Sequence, residues 1–246
     1  MVLVRILIST FFVSIISLVG IFTLAIKEGL LKKIMFCLIG FSAGALIGSA
    51  FLHILPESLE RTPSTTVFYY LILGLVLFFL LERYLHWRHC HDKDCSAHAF
   101  TYLNLFGEAF HNFIDGIAIA ASFIVSTNLG IATTLAIILH EIPKELGNFG
   151  VLVYGGFTRK RALFYNFISA LMAVAGALAG YFISDFAHGF SDFVMPLTAG
   201  GFIYIAATDL IPEIHKETNQ GKATLAFIAF LFGIMFMGLA KQLLHS

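Results

Sequence analysis

Long apolar runs separated by short polar stretches set the pattern of this chain. Eight such runs can be drawn, at 4–26, 34–56, 67–86, 100–125, 130–155, 161–184, 193–214 and 222–244. Each is close to the roughly 20 residues that a helix needs to cross a bilayer core. The fourth and fifth differ from the rest because polar signatures interrupt them. The turn between those two, Ser126-Thr127-Asn128, is short and predicts a tight helical hairpin. The pattern predicts an all-α polytopic membrane protein with eight transmembrane helices. It forms a single transmembrane domain over 1–246, with a polar His/Cys-rich loop at 87–99 inside it.

The pattern also repeats. The segment from Ser42 to Glu57 aligns without gaps onto Thr198 to Glu213, which lays His53 on Asp209, Pro56 on Pro212 and Glu57 on Glu213. The same offset lays run 1 on run 6 and run 3 on run 8. Runs 2 and 7 cross in opposite directions, so the expectation is an inverted repeat of helices 1–3 and 6–8 around helices 4 and 5. Such 3+2+3 plans, with a binding site near the midplane, mark transporters. Gly40, Gly44 and Gly48 form one four-residue stripe and Gly176 and Gly180 another. Small residues on a stripe let helices approach closely, which is a packing role.

Composition agrees and narrows the function classes. The chain is 59% hydrophobic and 12% charged, with a mean hydropathy of +0.89. Its formal net charge is zero, so it has no basic field for nucleic acid. Cys37, Cys90 and Cys95 make no disulfide framework. The first run is too long for a signal-peptide core and lacks a small-residue cleavage site, so it is expected to be retained. No Gly-x-x-x-x-Gly-Lys-Ser/Thr loop is present, which argues against ATP-driven pumping by this chain. Loops 1, 3, 5 and 7 carry Lys27, Lys32, Lys33, Arg83, Arg88, Lys93, Arg159, Lys160, Arg161, Lys216 and Lys222, against only Arg5, Arg61 and Lys241 on the other side. The positive-inside rule then places both termini outside the cytoplasm of a cell membrane.

The chemistry concentrates in two signatures: His111-Asn112-Phe113-Ile114-Asp115-Gly116 and His140-Glu141-Ile142-Pro143-Lys144-Glu145. Helical residues four apart share a face, so His111 lies beside Asp115 and His140 beside Lys144, with Asn112 and Glu141 flanking. At 1.5 Å per residue, His111 and His140 lie about 16 and 15 Å into their spans, at matching depth. Ionisable residues there read as functional by default. Imidazole nitrogen with carboxylate oxygen suits zinc and its borderline neighbours. Pro143 cannot donate to the Leu139 carbonyl, which is expected to stay free beside the site and to bend the helix.

His-Asn-x-x-Asp-Gly followed by His-Glu-x-Pro-x-Glu-Leu-Gly resembles the paired motifs of the ZIP family of divalent-metal transporters. The eight-helix plan with both termini outside resembles that family too, over nearly the whole chain. The resemblance implies uptake of zinc, sometimes iron, manganese or cadmium, toward the cytoplasm, with no organic cofactor. It implies a metal centre in which His111, Asp115 and His140 match one site and Asn112 and Glu141 a neighbouring one. Many relatives carry His or Glu at the position of Lys144, where that side chain joins the two sites. A protonated ammonium is a poor ligand, so Lys144 is expected either to stand in for a second cation, paired with Glu141 or Asp115, or to bind as a neutral amine.

Further positions follow from the same frame. His53 and Glu57 end span 2 near the outer face, and Asp209 and Glu213 end span 7 near the cytoplasm, as equivalent mouths of one pathway. Glu108, one turn from His111, is placed to receive departing metal. Asn166 resembles the family position that faces the central pair. His89, Cys90, His91 and Cys95 in the cytoplasmic loop form a dense His/Cys tract fit for transition metals, with a spacing that matches no rigid zinc module. Elevator-like alternating access is implied by resemblance, and a homodimer is left open. The rival class is an intramembrane zinc-dependent hydrolase. His140-Glu141 begins the His-Glu-x-x-His protease motif, but Lys144 holds its fifth position and Pro143 interrupts it.

Overall fold

In an apolar medium a segment must satisfy its backbone polar groups internally, so each run is expected to coil into helix. The computed structural model describes residues 1–24, 28–87, 97–154, 156–186 and 189–245, and these contain helices and no strand. In order they are α1 (Val2–Ile16), α2 (Glu28–Ser49), α3 (Leu55–Arg61), α4 (Ser64–Trp87), α5 (Ala97–Val125), α6 (Thr127–Tyr154), α7 (Arg159–Ala170), α8 (Met172–Phe186), α9 (Phe190–Ile205), α10 (Ile211–His215) and α11 (Gln220–His245).

Among the described residues seven stretches are long and apolar enough to cross a membrane: Val2–Gly20, Phe36–Arg61, Ser64–Arg83, Leu105–Val125, Arg159–Ser184, Phe190–His215 and Gln220–Leu243. The remaining run of the eight, the fifth, is α6. Its 28 residues are long enough, but Glu141, Lys144 and Glu145 fall within one turn and a half of helix. Two runs are less regular than their hydropathy suggests. The first leaves the α form at Ile16 and continues as a 3₁₀ segment, Ser17–Leu24. The sixth is interrupted at Leu171, between α7 and α8, where Ser14 Oγ donates to the Ala170 carbonyl at 2.8 Å.

The aligned segments carry the same backbone distortion. A π turn occupies Ala50–Ile54, closed by Leu55 N–H to the Ala50 carbonyl, and another occupies Ala206–Leu210, closed by Ile211 N–H to the Ala206 carbonyl. In the ungapped alignment these segments superpose residue on residue. Two residues past the end of each comes a proline, Pro56 or Pro212, which removes an N–H from the ladder; a local widening to π geometry accommodates that loss.

Packing is close and uses small residues. α2 lies along α11, α4 along α9 and α5 along α8, while α6 packs against α5, α2, and α1 with its 3₁₀ extension. Gly116 of α5 rests on the Ala173 carbonyl, and Gly176 of α8 on the Phe113 carbonyl; a Cβ at either would collide with the other helix's main chain. Large apolar side chains face outward instead. Phe68, Tyr69, Ile72 and Phe79 on α4, with Phe227, Ile228, Phe232 and Met235 on α11, are each at least half exposed. Such broad apolar belts suit a lipid surround, where packing rather than water exclusion joins helices.

Candidate metal centre

α5 and α6 form an almost uninterrupted hairpin with only Ser126 between them, and Ser122 and Thr133 share a hydrogen bond of 2.9 Å across it. The close packing on α8 at Gly116 fixes the rotation of α5. Glu108, His111, Asn112 and Asp115 then share the face that meets His140, Glu141, Lys144 and Glu145 of α6. Asn112 donates from Nδ2 to the Glu108 carbonyl at 3.0 Å and to Glu108 Oε1 at 3.2 Å, which holds that carboxylate against its own helix.

His140 is oriented by its own helix. Its Nδ1 lies 3.2 Å from the Ala136 carbonyl, which can only accept, so Nδ1 carries the proton and Nε2 presents a lone pair. Phe202 packs near this ring at a centroid distance of 6.0 Å, and Phe78 meets the His111 ring edge-on at 6.2 Å.

Four potential ligand atoms converge. His111 Nε2 lies 3.3 Å from His140 Nε2, 3.5 Å from Asp115 Oδ2 and 3.7 Å from Glu141 Oε1. His140 Nε2 lies 3.4 Å from Asp115 Oδ2 and 3.2 Å from Glu141 Oε1. Donors bound at about 2.0–2.2 Å to a tetrahedral ion sit roughly 3.3–3.6 Å apart, close to these five separations, and all four atoms lie within 4.8 Å of one another, so the group suits a zinc ion. Asp115, His140 and Glu141 are buried, and Asp115 Oδ2 has no hydrogen-bond partner. A buried unpartnered carboxylate oxygen aimed at two imidazoles is costly in isolation and satisfied by a shared cation.

Lys144 sits beside this cluster rather than in it. Its Nζ lies 2.7 Å from Glu108 Oε1 and 2.8 Å from Glu141 Oε1. The expected partner Glu141 is there; Asp115 is not a partner, because its inner oxygen faces the two imidazoles and the longer Glu108, one turn earlier on α5, meets the ammonium.

The ZIP zinc transporter family profile matches residues 2–99 and 88–241. This chain belongs to the ZIP zinc transporter family. It is 33% identical to Zinc transporter zipt-7.1 of Caenorhabditis briggsae over 81% of this chain and 69% of that protein. It is 33% identical to Zinc transporter ZIP13 of Pongo abelii over 81% of this chain and 65% of that protein. Against Zinc transporter zipt-7.2 of Caenorhabditis elegans the identity is 39%, over 56% of this chain and 30% of the relative. The chain thus spans from under a third to just over two thirds of these relatives' lengths. The family and its named members are transporters rather than enzymes, and the apolar helices fit a multi-pass membrane protein.

In this ZIP chain a cavity of about 260 Å³ opens onto the cluster, lined by Glu108, His111, His140, Lys144, Asp209 and Glu213 among others. Asp209 and Glu213 are therefore brought to a common space with the cluster, Glu213 also pairing with Lys216 at 2.5 Å. His53 and Glu57 are not. They line a separate cavity of about 80 Å³ with Pro56, Glu60, Ser126, Asn128, Leu129 and Lys241, and the His53 ring donates from Nε2 to the Met237 carbonyl at 2.8 Å.

Asn166 reaches α6 at a residue the sequence reading left without a role. Its Nδ2 donates to Glu145 Oε2 and, at 3.2 Å, to the Ser17 carbonyl where α1 gives way to 3₁₀ geometry. Glu145 is fully buried, and one oxygen each from Glu108, Glu141 and Glu145 lie within 4.8 Å of one another. The signal was present in the sequence: Glu145 is four residues after Glu141 and so shares its face. The Leu139 carbonyl also departs from expectation. It is not free, because Ser42 Oγ of α2 donates to it. His89, Cys90, His91 and Cys95 lie outside the described residues.

Proposed function

We propose that this chain carries zinc across a cell membrane, passing it through the cluster of His111, Asp115, His140 and Glu141, with Asn112 supporting Glu108 beside them. The carrying observation is that two imidazole nitrogens lie 3.3 Å apart and each 3.2–3.7 Å from one oxygen of Asp115 and one of Glu141, at the buried crossing of α5 and α6. Two neutral imidazoles and two carboxylates neutralise a divalent ion and replace its water at membrane depth. Ferrous iron, manganese and cadmium accept such donors as well, and the two nitrogens favour zinc.

The arrangement we propose is eight spans, counting α6, in a 3+2+3 plan with both termini outside the cytoplasm. The matched π turns support the inverted repeat. So does the pairing of α2 with α11 and of α9 with α4, since the repeat exchanges one pair for the other. Zinc then approaches from the side of His53 and Glu57 and leaves through the larger cavity past Glu108, Asp209 and Glu213. The His/Cys tract at 87–99 suits a cytoplasmic acceptor. A divalent ion moving inward gains about 4.6 kcal/mol across 100 mV, at about 2.3 per charge, so no nucleotide is needed.

Hydrolysis is the weaker reading. A His-Glu-x-x-His protease needs imidazole where this chain has Lys144, and that ammonium is held by two carboxylates. Zinc flux into proteoliposomes under an inward-negative potential tests carriage. Flux is expected from the native chain and not from His140→Ala; equal flux from both would remove the proposed site.

A further inference from the structure

We propose that Ser49 is a second dock for the Leu139 carbonyl, so that α6 has two stations along α2, about two helical turns apart. The inference rests on the carrier reading given above and names positioning residues for it. Leu139 directly precedes His140. Pro143, four residues on, has no N–H to give the Leu139 carbonyl, so that oxygen depends on a donor from outside its helix. Ser42 Oγ of α2 supplies it here.

α2 carries a second hydroxyl of the same kind. Ser49 is fully buried, like Ser42, and its Oγ has no hydrogen-bond partner. A buried hydroxyl left unpaired costs free energy and calls for an explanation. Packing does not supply one, since the equivalent position of the other repeat holds Ile205. Seven residues separate the two serines, within about 20° of two full turns, so they share a face of α2.

That face lies opposite the glycines. Gly40 and Gly44 rest on the Ala226 and Phe230 carbonyls of α11, and Gly48 on the Met237 side chain, which interlocks α2 with α11. No such contact of the described α2 glycines involves α6, so sliding of α6 along α2 does not have to undo one. Packed helices move between discrete arrangements by whole turns, where the same face recurs. Ala45 and Leu46, between the serines, have side chains that offer the carbonyl no donor. Positions short of two turns therefore leave it unpaired.

The direction fits the two cavities. Arg61 Nε bonds Asp192 Oδ1 at 2.8 Å, so α3 ends on the side where α9 begins, and α9 runs away from there toward Asp209 and Glu213. From Ser42 to Ser49, α2 runs the other way, toward His53 and the smaller cavity. A shift of α6 by seven residues, about 10 Å at 1.5 Å per residue, carries His140 from the side of the larger cavity toward that of His53. His111 travels with it, because α5 and α6 form one hairpin. Neither serine touches the cargo; each sets where α6 stops.

The experiment measures, by pulsed electron spin resonance, the distance between spin labels at Gln220→Cys and Asn128→Cys, at opposite ends of α11 and α6. It uses the full chain in lipid nanodiscs without metal, with Cys37, Cys90 and Cys95 replaced by Ala. Two distances about 10 Å apart are expected, the longer belonging to the Ser49 station. Ser42→Ala is expected to raise the ratio of longer to shorter about two- to tenfold, the worth of one hydrogen bond. Adding Ser49→Ala is expected to lower it again by a like factor, and Ser49→Thr, which keeps a hydroxyl, to match the parent. Equal ratios in Ser42→Ala with and without Ser49→Ala overturn the proposal. So does a single distance in the parent and in Ser42→Ala alike. Ser49→Ala alone is expected to leave the thermal midpoint unchanged or higher, and a midpoint lowered as much as by Ser42→Ala overturns the proposal without any distance. Failure of the carrier reading looks different: the two distances persist while proteoliposomes take up no zinc.

Discussion

His140 commits one ring nitrogen to the Ala136 carbonyl and turns the other into the cluster, so its helix sets both tautomer and direction. Replacing it with Ala removes a donor outright and is expected to weaken zinc binding by more than the 10–100-fold typical of outer partners, as read by isothermal titration. Ser42 makes a different prediction. Ser42→Ala leaves the half-buried Leu139 carbonyl unpaired, which is expected to cost about 1 kcal/mol and to lower the thermal midpoint with zinc stoichiometry unchanged. At this scale the sequence showed which side chains share each helix face, because spacing within a helix fixes that. It did not show which residue of another element answers them. Ser42 for Leu139, Glu108 for Lys144 and Asn166 for Glu145 are partners chosen by tertiary packing across long sequence separations. Asn166 and Ser17 in particular meet only because α1 changes its winding there.

α5 and α8 touch main chain to main chain at Gly116 and Gly176. Gly116→Ala or Gly176→Ala must push the helices apart and is expected to cost about 1–3 kcal/mol. Since Gly116 follows Asp115 directly, Gly116→Ala is also expected to reduce zinc affinity. Gly150 of α6 is the control. A Cβ there meets nothing within 4 Å, so Gly150→Ala should be neutral or stabilise by about 0.5–1 kcal/mol. Thermal unfolding of the three variants in one detergent checks the contrast. The hydrophobic pattern revealed where the helices lie and the Pro-Glu repeat at their ends. It did not reveal the break at Leu171 or the change to 3₁₀ at Ser17, since hydropathy is insensitive to how an apolar segment is wound. α6 is the informative exception: it is long enough to span, and the charged residues that make it polar, Glu141, Lys144 and Glu145, lie in or beside the cluster.

At the scale of the whole molecule, two cavities among the described residues are unequal. One, of about 260 Å³, reaches the His/Asp/Glu cluster; the other, of about 80 Å³, is lined by His53 and Glu57 and no cluster residue. The larger one joins the cluster to Asp209 and Glu213. In a cysteine-free background, Glu213→Cys is expected to react with an impermeant thiol reagent only from the cytoplasmic face of the membrane, and added zinc should slow the reaction. Labelling from the outer face alone would reverse the proposed orientation. The most direct test of the central claim is the position of zinc itself, located by anomalous diffraction at the zinc edge from crystals of the native protein. The expected result is a peak between α5 and α6 at about 2.0–2.2 Å from His111 Nε2, His140 Nε2, Asp115 Oδ2 and Glu141 Oε1. Zinc bound only elsewhere, with no peak among those four atoms, would contradict it.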